Sequence, residues 1–69
     1  MKLSARNQLK GTITAIEEGA VNAIVHIEVA GGLTITSDIT KASVENLDLK
    51  VGQEAYAVIK ASDVMVGVE

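Results

Sequence analysis

The sequence predicts an all-β domain, and three observations carry that expectation. Apolar residues recur with period two over most of the chain, glycines stand between the alternating runs, and one short stretch switches to helical spacing. With 69 residues there is room for a single domain, 1–69, and for one small core. Phe and Trp are absent and Tyr56 is the only aromatic, so Val, Ile, Ala and Leu have to fill that core.

The first strand is expected over 9–17, "LKGTITAIE", ending in a turn at Glu18-Gly19-Ala20. In "VNAIVHIEV" the odd positions Val21, Ala23, Val25, Ile27 and Val29 are all apolar, and in "LTITSDI" Leu33, Ile35 and Ile39 repeat the pattern around Ser37. These two runs meet at Ala30-Gly31-Gly32, where glycine supplies the positive φ of a tight hairpin, so they should pair antiparallel. The stretch 40–47, "TKASVENL", reads as a short helix. Thr40 is its N-cap, Val44 and Leu47 lie three apart, and Gly52 ends the following turn. Two late strands, "QEAYAVIK" and "DVMVGVE", bend apart near Ala61-Ser62. Five strands with a helix between the third and fourth is the plan of an OB-like β-barrel, with a sixth strand if the opening stretch pairs separately.

A core this thin needs reinforcement. Chains below about 70–80 residues gain only ~3–5 kcal/mol from a core alone and add disulfides, a metal or self-association. There is no Cys, and a lone His offers no zinc spacing, which leaves a homo-oligomer. If the odd positions face inward, Ile16, Ile24, Ala30, Tyr56, Val58 and Met65 point outward. That is more apolar surface than a solvated sheet face normally carries. A second copy of the chain would cover it; scattered surface apolar residues of a monomer are the plain alternative.

The formal charge of −3 gives no global attraction for polyanions. An OB module that binds nucleic acid stacks bases on aromatics in a basic groove, and one Tyr on an acidic chain suits that function poorly. Nothing suggests an enzyme: there is no Cys, no Ser-His-Asp arrangement and no carboxylate pair flanking a pocket. No signal-like apolar run and no span of ~20 apolar residues occurs, so a cytoplasmic location without membrane contact is expected.

Local anion chemistry is more promising. In an extended segment Ser4, Arg6 and Gln8 project to one side, with same-side neighbours about 6.6 Å apart, so a hydroxyl and a guanidinium stand together. Lys60 ends a strand where the bend at Ala61 and Ser62 would turn backbone N–H groups outward. Neither stretch is expected to bring a carboxylate, which makes a pocket of donors only. Each residue also has a plain reading. Arg6 and Lys60 serve as solvated surface cations, Ser4 and Ser62 bond nearby backbone, and Thr40 caps its helix, although that hydroxyl also lies at a helix N-terminus. His26 is expected to pair with a carboxylate on the outer face. Of the glycine turns, only Gly19, followed by Ala20, Val21 and Asn22, offers N–H groups for an anion.

The opening "SARNQLKG", the "VNAIVHIEVAGG" hairpin and the closing "AYAVIKASDVMVGVE" together closely resemble the molbindins, small molybdenum-binding proteins also called molybdenum-pterin-binding proteins, in their stand-alone form. The likeness runs over residues 1–69. It implies an OB-like homohexamer, a trimer of dimers, that holds molybdate or tungstate between subunits for storage and homeostasis. It also implies the ligands: Ser4 and Arg6 from the opening motif, Thr40 as a hydroxyl donor, and Lys60 with Ala61 and Ser62 at the close. Asn7 and Gln8 are expected to hold strands or interfaces rather than touch the ion, and the turn Gly19, Ala20, Val21 and Asn22 is the candidate for a second oxyanion site. A metal bound directly as a cation is not expected, and no aromatic cage is present for a pterin. The implied chemistry is coherent: a donor-lined cage suits a bare tetrahedral dianion, and Arg6 with Lys60 would balance its charge.

Overall fold

The computed structural model describes residues 1–69 and consists of a four-stranded antiparallel sheet that curls around one apolar face. The strands are β1 (Asn7–Glu18), β2 (Asn22–Val29), β3 (Thr34–Thr40) and β4 (Glu54–Ile59), in the sheet order β3-β2-β1-β4. A short helix, α1 (Lys41–Asn46), connects β3 to β4, and single 3₁₀ turns follow β2 and β4. β1 is the hub. Its first half pairs with β4, from Asn7 opposite Ile59 to Thr12 opposite Glu54, and its second half continues along β2.

The alternation predicted for β2 holds closely. Ala23, Val25, Ile27 and Val29 are buried, and they join Ile13, Val44 and Ala57 in one core flanked by Ile16, Ile35, Ile39, Leu49 and Ala55. The hairpin turn at Ala30-Gly31-Gly32 forms as expected, with Gly31 and Gly32 at φ of 82° and 77°, values that an L-residue with a Cβ rarely adopts. Thr40 caps α1, its hydroxyl accepting from the Ser43 N–H at 3.1 Å.

Four details differ from the sequence reading, and each has a physical cause. The expected fifth strand over 63–69 does not pair within the chain: Met65, Val66 and Val68 are more than nine-tenths exposed, because the 3₁₀ turn at Ala61–Asp63 carries the chain off the sheet. Ile16 faces the core rather than solvent, because a bulge between Ile13 and Ala15 adds one residue to β1 and inverts the alternation beyond it. Val21 and Leu33, read as inward residues, are exposed since both fall in turns just outside the strands. β1 also begins at Asn7, two residues early, where the Asn7 amide ties it to β4. Tyr56, Val58, Ala30 and Met65 are exposed and Ile24 is half-buried, which leaves the expected outward apolar surface in place.

The barrel is not closed within one chain. β3 and β4 are the outer strands of the sheet and do not bond to each other, although the curl brings them to the walls of one groove lined by Ile27, Ile35, Tyr56, Val58 and Ile59. Only seven residues of 69 are buried, so the thin core expected from composition is what the chain builds.

Candidate functional site

The cleft lies where the start of β1 meets the end of β4. Asn7 pairs with Ile59, and the Asn7 side-chain amide donates to the Ile59 carbonyl at 3.2 Å, clasping the opening and closing segments together. The Gln8 amide donates to the Ala5 carbonyl at 3.0 Å and ties the opening segment to the start of β1. Both side chains therefore hold backbone, as expected of them. After β4 the Asp63 N–H donates to the Lys60 carbonyl at 2.9 Å and the Val64 N–H to the Ala61 carbonyl at 3.2 Å. This tight turn spends its carbonyls internally and leaves the Ala61 and Ser62 N–H groups without acceptors in the chain.

These constraints shape a cleft of about 650 Å³ lined by Ser4, Ala5, Arg6, Val58, Lys60, Ala61, Ser62 and Asp63. The structure thus brings together five of the six main predicted ligands, drawn from opposite ends of the sequence. The electrostatics are distinctive as well. Lys10, Lys41 and Lys50 each pair with a carboxylate, at 3.3, 4.0 and 3.5 Å, whereas Arg6 and Lys60 have none within 4.0 Å. Two unpaired cations, two hydroxyls and two free N–H groups therefore line one opening, a donor set suited to an oxyanion. In a single chain these groups are exposed, where solvent screens their charge.

One predicted ligand stands apart, and one expectation is corrected. Thr40 does not join this cleft: it pairs with Asn22 beside the β1–β2 turn, at the other end of the sheet, and its hydroxyl also lies 2.7 Å from that of Ser43. Within one chain it can serve only its helix cap. The donors-only description also fails, because Asp63 contributes a carboxylate to the lining. Sequence reading overlooked Asp63 although it directly follows Ser62. The 3₁₀ turn is what swings it to the opening, and alternation along a strand gives no sign of that. Val58 was placed on the outer face, and it is the cleft's apolar wall.

The candidate second site is a compact turn. The Gly19 N–H is taken by the Asn22 carbonyl at 2.8 Å, and the Val21 carbonyl accepts from Lys41 at 2.7 Å, while the Ala20 and Val21 N–H groups find no acceptor. His26 meets its expected carboxylate: its Nε2 is 3.0 Å from Glu17 Oε2, and the Thr36 hydroxyl lies 3.5 Å from Nδ1. No group of three or more His, Cys, Asp or Glu side chains is arranged to hold a metal ion.

Residues 3–66 match the TOBE domain family model. The chain belongs to the TOBE domain family. A Haemophilus influenzae protein described as a probable molybdenum-pterin-binding protein is 61% identical over 69 residues, covering the whole of both chains. Among solved structures, MopII from Clostridium pasteurianum superposes with a TM-score of 0.93 at 49% identity, covering 97% of this chain and all of that one. The cytoplasmic molybdate-binding protein ModG, with molybdate bound, matches with a TM-score of 0.95 at 55% identity, covering this whole chain and 49% of that one. The molbindin resemblance carried by the opening and closing motifs is thereby borne out, and this TOBE domain has the fold of molybdate-binding proteins. No helix is long and apolar enough to cross a membrane.

Proposed function

We propose that this TOBE domain binds molybdate or tungstate and serves in their intracellular storage and homeostasis, as a binding protein rather than a catalyst. The observation that carries this reading is the convergence of the unpaired Arg6 and Lys60 with the Ser4 and Ser62 hydroxyls and the free Ala61 and Ser62 N–H groups. A fully deprotonated tetrahedral ion presents only acceptors, and almost every polar group of the cleft donates. The relatives' descriptions agree in kind: two name molybdenum with pterin or molybdate as what those proteins bind.

The reading includes assembly into a homohexamer, a trimer of dimers, with ions held between subunits. Three features support it. The donors are exposed in one chain and would gain strength only when covered. Thr40, the remaining predicted ligand, lies at the far end of the sheet, so it can reach a cleft only from a neighbouring copy. The apolar residues of 64–68 and the β3–β4 groove are both left uncovered, and seven buried residues make a small core for a stable monomer. The Gly19–Asn22 turn, with its two free N–H groups, is the proposed second oxyanion site. An ion shared between chains stabilises the assembled form by mass action.

Calorimetric titration with molybdate, tungstate and sulfate, run beside a native mass measurement, tests the proposal. Arg6→Ala should weaken molybdate binding by about 100-fold or more, the loss expected of a charge-assisted ligand in a covered site, while the sheet still folds. Undiminished uptake by that variant would place the ligands elsewhere.

A further inference from the structure

We propose that Asp63 is a specificity-determining residue of the cleft, discriminating among tetrahedral oxyanions by whether they carry a proton. The proposal rests on the oxyanion reading above and goes beyond it. Asp63 is the one carboxylate lining the cleft, and its N–H bond to the Lys60 carbonyl at 2.9 Å fixes it beside the Ser62 end of the donor set. No cation lies within 4.0 Å of its carboxylate, so its charge and its acceptor lone pairs are uncommitted.

Two effects follow, and they act on different ligands. Every dianion meets a lining whose formal charge is +1 rather than the +2 of Arg6 and Lys60 alone, so Asp63 lowers the affinity for all of them. An ion that still bears an O–H, such as hydrogen phosphate, recovers part of that loss by donating to the carboxylate, a charge-assisted bond. Molybdate and sulfate carry no proton and recover nothing. Asp63 thus sets a ceiling on affinity for bare dianions and narrows the margin by which they outcompete hydrogen phosphate.

The test measures the affinities of the intact protein, Asp63→Ala and Asp63→Asn for molybdate directly, and for sulfate and inorganic phosphate by displacement of molybdate. Mildly alkaline buffer keeps a single proton on phosphate. Asp63→Ala should bind molybdate about tenfold more tightly, and its phosphate-to-sulfate affinity ratio should fall about tenfold. Asp63→Asn should gain as much for molybdate but lose less of the ratio, because its amide oxygen still accepts. A ratio that stays within twofold in Asp63→Ala, or a molybdate affinity that does not rise, overturns the proposal. So does a change in assembly mass, which would place the carboxylate in a contact between copies. If the intact protein binds none of the three anions, the oxyanion reading falls as well. If it binds molybdate and only the Asp63 variants fail to respond, that reading stands and this inference alone is lost.

Discussion

The curled sheet and the two segments that flank it, 1–6 and 60–69, treat their polar groups in opposite ways. In the sheet, β1 and β2 exchange backbone bonds over most of their length, and no buried side-chain polar atom lacks a partner. In the flanking segments N–H groups, cations and apolar side chains stand uncommitted. Interactions left unmade by a folded chain are available to something else, so the division separates what holds the fold from what meets a ligand or another copy.

Substitutions can break or sharpen that division. Ile13 is 1% exposed at the centre of the core, and Ile13→Ala should cost about 2–5 kcal/mol in urea unfolding. Gly11 comes next. A Cβ there would clash with the Glu28 carbonyl oxygen, a backbone atom fixed by the β1–β2 pairing, so Gly11→Ala should cost about 1–3 kcal/mol through local displacement of the strands. Removing the α1 cap with Thr40→Ala should cost about 1 kcal/mol in the same measurement. Arg6→Ala should shift stability measured without ligand by less than about 0.5 kcal/mol, since Arg6 is exposed and unpaired, even though molybdate binding collapses. A large loss of stability from Arg6→Ala would show that the flanking segment belongs to the framework after all.

How far the sequence foretold this structure depends on which rule governed each residue. Alternation was a reliable guide through β2, where Ala23, Val25, Ile27 and Val29 all turn inward, and the capping chemistry of Thr40 and the glycine pair at 31 and 32 was read correctly. Ile16 was misread because a bulge costs only one residue and leaves no mark in composition. The segment 63–69 was misread for a different reason. Val64, Val66 and Val68 alternate as a strand should, but alternation specifies a pleated surface and not the partner it pairs with, and this chain offers that segment none. At the cleft, the charged and hydroxyl side chains were legible from residue type. Their convergence depended on Asn7 meeting Ile59 across 52 residues, and the presence of Asp63 depended on a three-residue turn.

The irregularity after Ile13 has a wider consequence. Pairing with β4 ends at Thr12, and the phase of β1 slips immediately afterwards, so this long strand works as two shorter ones spliced out of step. The splice lets a single ribbon bend sharply enough to serve two neighbours without a loop. Deleting Thr14 would join the two halves in one phase, leaving Ile13 opposite Ile27 and Ile16 opposite Val25 in an unbroken ladder, so both side chains would keep their seats and only the bend would be lost.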